Sequence, residues 1–316
     1  MNRRIFLGLT TALAMLPMSA FAQDKLPVVA SFSILGDMVA EVGGDRVSVS
    51  TLVGPDGDAH VYEPTPADAQ TVAAASVVFV NGLAFEGWLD RLIEASEFKG
   101  PVVVATTGVV PLEMAEEHHA EGEAHAEGQA HAEGPEAHDH GEQDPHAWQS
   151  LANARLYVAN IEAGLSAADP AGAETYKANA TAYLAEIDAA EAEIVAAIAA
   201  LPADRRSVVT SHDAFGYFAA AYGMTFHAPE GLSTEAEPSA ADVATLITQM
   251  KAEAIPAVFM ENITDSRLLE QITAETGASV GGTLFSDALS GPDGPAGTYL
   301  DMMRHNTATL TGALGS

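Results

Sequence analysis

The chain has 316 residues, 48% of them apolar, no cysteine, and 13 basic against 44 acidic side chains, for a net charge of −31. The missing thiols argue against a disulfide framework, a thiolate zinc site or a lipid-anchored cysteine. The acidic balance argues against nucleic acid or an anionic membrane surface as partner; it raises the local concentration of cations, although much of it simply serves solubility.

Residues 1–22 read as an export signal. Arg3 and Arg4 precede an apolar run from Ile5 to Pro17, and Ala20-Phe21-Ala22 is a small-x-small cleavage site. The run is too short to span a bilayer, and its arginine pair suits a twin-arginine route as well as a Sec route. An exported chain without cysteine is expected in a Gram-negative periplasm. The mature chain is long enough for two ordinary domains. Strands are expected at 27–31, 47–53, 77–81 and 102–105, with helices at 34–42, 66–75 and 86–95 between them.

Between 116 and 140 this alternation breaks. The stretch EEHHAEGEAHAEGQAHAEGPEAHDH holds six of the eleven histidines, His118, His119, His125, His131, His138 and His140. HAEG recurs from His119, His125 and His131. Imidazole is a common ligand for transition metals, and a glycine-containing tract with no apolar face cannot pack into a core. A flexible collector of weakly held metal is expected; a merely solvated loop is the plainer reading.

A helix is expected at 151–167, and residues 169–202 form a linking segment. Asp169 suits an N-cap, Pro170 a first turn and Pro202 a stop. Tyr183, Leu184, Ile187, Ile194, Ile198 and Leu201 recur at helical spacing without sustained heptads. As a single helix the segment would run roughly 45–50 Å, enough to cross two lobes as a spine. Beyond it, strands are expected at 207–210, 224–227, 257–260 and 280–284, and helices at 214–222, 241–252, 266–276 and 297–314. The alternation predicts an α/β fold with two parallel-sheet α/β lobes, residues 23–168 and 203–316, joined by a long rigid spine helix.

Four residues outside the His-rich tract stand beyond expected strands or in nearby loops: His60 in GPDGDAHVYEPTP, His146 in DPHAW, His212 in VVTSHDAFGYF and Asp287 in TLFSDALS. They are 86, 66 and 75 residues apart, so no local spacing rule joins them. Singly, each has a plain reading, a hydrogen-bonded loop histidine or a helix-capping aspartate.

The segments DGDAHVYEPTPAD, NGLAFEGWL, DPHAW, SHDAFGYFAAAYG, GLSTEAEPSAAD, ENITDSRLLEQI and TLFSDALS resemble those of the metal-specific solute-binding proteins of ABC importers, called cluster A-I. The likeness runs in order over essentially the whole mature chain. It implies two α/β lobes facing across a cleft, with metal held between them at His60, His146, His212 and Asp287, two from each lobe. Ligands at the carboxyl ends of strands agree with the general placement rule for such sheets.

Manganese members of that family usually place a carboxylate where this chain has His212, whereas three imidazoles and one carboxylate suit zinc. Zinc members also often carry a His-rich acidic insertion in the same loop. The implied cargo is Zn(2+). The implied partner is a membrane permease, with a periplasmic metallochaperone as a further candidate, and a monomer is expected. Proton competition is expected to weaken binding as pH falls toward and below roughly 6. Glu63 and Asp144 are candidates to orient ligating imidazoles, while His227, His305, Trp148 and Phe215 are read as structural. The alternatives are a manganese or iron receptor of the same family, a passive metal buffer, and a three-histidine zinc hydrolase. The hydrolase needs an open coordination position and a base, and no HExxH motif occurs.

Overall fold

The computed structural model describes residues 24–113 and 143–315; the export signal expected at 1–22 and the His-rich tract at 116–140 lie outside the described residues. Strands β1 (Leu26–Phe32), β2 (Val47–Val53), β3 (Val77–Val80) and β4 (Val102–Val104) form a parallel sheet in the order β2-β1-β3-β4. Val28 lies opposite Val49 on one side and Val77 on the other. Parallel neighbours need crossovers, supplied here by α1 (Ser33–Gly43), α2 (Pro66–Ala73) and α3 (Leu89–Ala95). All of β3 is buried, but the edge strand β4 leaves Val102 and Val104 about two-fifths exposed, so helices do not cover the whole sheet.

A second sheet repeats the plan. Strands β5 (Ser207–Val209), β6 (Thr225–His227), β7 (Ala257–Glu261) and β8 (Ser279–Leu284) lie parallel in the order β6-β5-β7-β8. Around them stand α6 (Gly216–Tyr222), α7 (Ala240–Glu253), α8 (Arg267–Thr276) and α9 (Tyr299–Leu314), after α4 (Leu151–Ala168) and α5 (Ala173–Ala199) in the chain. Helix α6 starts two residues later than the pattern predicts, because Ala214 and Phe215 belong to the turn that carries His212.

The linking segment is not one helix from Asp169. A short 3-10 turn, Pro170–Gly172, precedes the 27 residues of α5, which span about 40 Å. Asp169 does not cap it. Its carboxylate instead takes the Arg46 guanidinium at 2.6 Å and the Tyr176 hydroxyl at 2.8 Å, and such charge-assisted bonds outcompete a neutral backbone donor. Tyr176, Ala180, Tyr183, Ile187, Ala190, Ile194 and Ile198 make a continuous buried stripe on α5. The helix packs on α1 and α4 in the first lobe and on α6 and α9 in the second. One apolar core therefore runs through both halves, from Phe32 and Phe79 past Trp148 and Ile187 to Phe218 and Tyr299. A separate small core of Val209, Leu246, Met250, Val258 and Ile272 lies beneath α7 and α8.

Candidate metal centre

Two Asp-x-His turns bring imidazoles to the cleft from the first lobe. In each, the aspartate Oδ1 accepts from the backbone N–H two residues on, the bond that makes such turns tight: Asp58 to His60 at 2.9 Å, Asp144 to His146 at 2.8 Å. The His60 turn is closed on one side by Trp88, whose Nε1 donates to the Ala59 carbonyl. On the other side, Tyr62 donates to Asp68 in the capping box of α2. The His146 turn hangs from the end of β3, where Asn81 Nδ2 donates to the Pro145 carbonyl and Tyr157 donates to Asn81 Oδ1.

The second lobe supplies His212, just past β5, and Asp287, just past β8. Glu261, the last residue of β7, splints the His212 turn. Its Oε1 accepts from the N–H of Ser211 at 2.7 Å and of His212 at 3.0 Å, and its Oε2 lies 2.7 Å from His212 Nδ1. Asp287 caps no helix; it is fully buried in a bend. The lobes are tied at this level: Trp148 Nε1 and Gln149 Nε2 both donate to the Ser286 carbonyl, beside Asp287. Gly216 permits a further close approach, since a Cβ there would lie 2.5 Å from Asp144 Oδ2.

The result is a dense cluster. One ligand atom from each of His60, His146, His212 and Asp287 lies within 4.8 Å of every other. His60 Nε2 is 3.3 Å from His146 Nε2 and 3.2 Å from Asp287 Oδ2; His212 Nε2 is 3.2 Å from the same oxygen, and His146 Nε2 is 3.6 Å from Oδ1. Tetrahedral bonds of about 2.0–2.1 Å would set ligand atoms about 3.3 Å apart, so three of these separations already fit a shared ion. His146, His212 and Asp287 are wholly buried and His60 nearly so, at 7% exposed. Among the described residues the Asp287 carboxylate faces only imidazole nitrogens, His60 Nε2 and His212 Nε2 at Oδ2 and His146 Nε2 at Oδ1. A buried carboxylate is costly unless positive charge offsets it, and here that charge comes from the imidazoles or from a bound cation.

The four groups are coupled through charge. Burial disfavours the His146 imidazolium, but Asp287 and Asp144 outweigh burial and raise its pKa to about 9. His212 is likewise raised well above the ordinary imidazole range, burial opposing and Glu261 and Asp287 prevailing. Asp287 is held well below the usual carboxylate range, burial opposed by His146 and His212. With these imidazoles held above their ordinary range, a metal at this cluster must compete with protons.

Among the expected second contacts, Asp144 lies 2.8 Å from His146 Nδ1. Glu63 is exposed on the loop toward α2 and makes no hydrogen bond to the buried cluster, so it cannot orient a ligand. Glu261 holds the place that was sought; its signal was an acid at the end of an apolar strand, at the head of ENITDSRLLEQI. His227 stays at the end of β6 near Ser207 and Gln249, and His305 Nε2 pairs with the Thr283 carbonyl. Trp148 packs against the His146 ring at 5.3 Å, whereas Phe215 stacks on Phe226 instead.

A buried set of three imidazoles and a carboxylate, between two parallel-sheet lobes on a common helix, defines a two-lobed metal-binding protein. The chain matches, over residues 28–313, the family described as zinc-uptake complex component A, periplasmic, and it belongs to that family. It is 33% identical to the manganese-binding lipoprotein MntA of Halalkalibacterium halodurans, over 92% of this chain and 89% of that one. It is 33% identical to the iron-binding protein YfeA of Yersinia pestis, over 92% and 87%. The periplasmic zinc binding protein TroA from Treponema pallidum superposes with a TM-score of 0.81 at 27% identity, covering 92% of this chain and 99% of that one. The Mn-bound periplasmic metal binding protein from Candidatus Liberibacter asiaticus gives 0.76 at 32%, covering 91% and 98%. The family comprises substrate-binding receptors of ABC transporters and not enzymes, which removes the hydrolase alternative and implies a membrane permease as partner.

Proposed function

We propose that this chain is the periplasmic zinc receptor of an ABC importer. A divalent zinc ion enters the cleft, sheds water, binds His60, His146, His212 and Asp287, and is carried to the permease. The observation that carries the reading is the convergence of three buried imidazoles on the buried carboxylate of Asp287, a donor set suited to zinc. Metal analysis of protein purified without chelator or affinity tag should find about one tightly held zinc per chain. Stoichiometric zinc retained in both His60→Ala and His212→Ala would overturn the assignment. Manganese or iron as cargo is a second reading, favoured by the two oxygens of Asp287 that both face the cluster and allow a fifth bond, and by the names of the relatives. Competitive titration of zinc against manganese and ferrous iron separates the two.

In the same reading, residues 1–22 direct export and the tract at 116–140 gathers zinc and passes it to the cleft. Its flanks support this. Glu113 and Gln143 pair as an isolated antiparallel bridge, and Asp144 N–H donates to the Leu112 carbonyl. Gln143 also lines the cavity that opens on His60. The described residues on either side of the tract thus lie beside each other, and one of them, Gln143, lines that cavity.

A further inference from the structure

The two Asp-x-His turns are built alike and finish differently. Asp144 turns its Oδ1 to the imidazole of its own turn, at 2.8 Å from His146 Nδ1. Asp58 sends its Oδ2 across the cleft instead, where the Thr234 hydroxyl donates to it at 2.6 Å. No carboxylate or carbonyl among the described residues pairs with the His60 ring nitrogen that faces away from the cluster, so this imidazole is oriented only through its backbone and its neighbours. Thr234 lies in residues 231–238, between β6 and α7. Leu232, Ser233 and Glu235 of this segment form one wall of a 540 Å³ cavity above His60, and Leu83, Ala84 and Phe85 of the first lobe form the other. Among the described hydrogen bonds, none but Thr234 to Asp58 joins this segment to the first lobe. The base of the His60 loop has its own ties to the second lobe, Asp56 N–H to the Leu289 carbonyl and Asn262 Nδ2 to Asp56 Oδ1, both 2.9 Å.

We propose that Thr234 is a positioning residue for His60, acting through Asp58, and that this bond latches the mouth of the metal site. Held from the opposite lobe, the Asp58 turn keeps His60 in its closed position; released, the turn and residues 231–238 part, and His60 is the first ligand to leave. The remaining ties at Asp56 keep the lobes together, so the latch governs the rate of metal exchange more than the final coordination. This inference rests on the metal-receptor reading.

The test uses the full chain and its Thr234→Val and Thr234→Ser variants. Valine keeps the shape and removes the donor; serine keeps the donor. Zinc-loaded protein is mixed with excess EDTA and the release rate is followed. Backbone amide exchange of residues 231–238 is measured separately in metal-free protein. The latch requires release about tenfold faster in Thr234→Val, the scale of one lost hydrogen bond to a charged acceptor. It also requires lost amide protection in 231–238, and near-unaltered behaviour on both measures in Thr234→Ser. Unchanged release and protection in Thr234→Val, or equal acceleration in both variants, would overturn it. If the unaltered chain held no zinc, the receptor reading would fall, and the amide exchange of metal-free protein would still decide the latch.

Discussion

In the first lobe the sheet order β2-β1-β3-β4 presents two imidazoles of unlike support: His146, wholly buried and clamped by Asp144, and His60, at the mouth with no described carboxylate or carbonyl on its outer ring nitrogen. In the second lobe the same strand order presents His212 and Asp287, both wholly buried, with the His212 turn held at three atoms by Glu261. Trp148 and Gln149 then tie the His146 segment to Ser286, beside Asp287. Three of the four candidate ligands are therefore wholly buried between the lobes, and the fourth, His60, lies nearest the cavity mouth. Equal strand topology does not give equal ligands; what differs is how many fixed groups reach each ring.

The largest effects should fall on the wholly buried ligands. His212→Ala leaves Glu261 and Asp287 buried together without their cationic partner, and is expected to weaken zinc binding at least about a thousandfold, about 4 kcal/mol. His60→Ala, at the mouth where water can replace the ring, should lose less, about a hundredfold. Chelator-competition titration of both variants checks the order, and equal losses would break the contrast between buried ligands and mouth. Next come the orienting carboxylates: Glu261→Gln and Asp144→Asn should each cost about 10–100-fold in affinity, with little change in stoichiometry by calorimetry.

The pH dependence sharpens the same division. The His146 pKa, raised from its ordinary 6.5 to about 9, means that in metal-free protein its charge pairing contributes stability fully present below pH 6.5 and lost as pH rises toward 9. Asp287, held below its ordinary 3.8, contributes stability present above that pH and lost as acid drives pH through its depressed value. Metal binding must displace these protons. Affinity should thus fall as pH drops from about 9, well above the pH near 6 expected for free imidazoles. The increase in Tm caused by zinc should widen between pH 6.5 and 9, and a difference flat across that range would contradict proton displacement. Smallest of all is the effect of deleting residues 116–140: the Glu113–Gln143 bridge already closes the gap. Affinity of the tight site should change by no more than about twofold while weaker zinc sites disappear in the titration.

Much of the fold was legible because burial writes itself into periodicity. The strands at 47–53 and 77–81 and the helices at 151–167 and 241–252 lie within a residue or two of β2, β3, α4 and α7. The misreadings are local contests over one side chain. Asp169 was drawn from its cap by Arg46, which is 123 residues away, and Glu63 stayed in solvent while Glu261 took the orienting role. No spacing along the chain records either outcome, because both depend on which charged group the fold places within about 3 Å.

The sequence by itself determined the alternation that makes two parallel sheets, the apolar stripe of the linking helix, the supply of imidazole and carboxylate, and, through family resemblance, which four residues to inspect. The tertiary structure alone decided that side chains 66 to 86 residues from the next in sequence meet in one buried cluster, that Glu261 and Asp144 reach two of the rings, and that Asp58 of the His60 turn takes the hydroxyl of Thr234 in the opposite lobe. The reason is physical: secondary structure follows short-range periodicity, whereas a metal site needs distances of a few ångströms between atoms that only the packing of two lobes on a common helix can bring together.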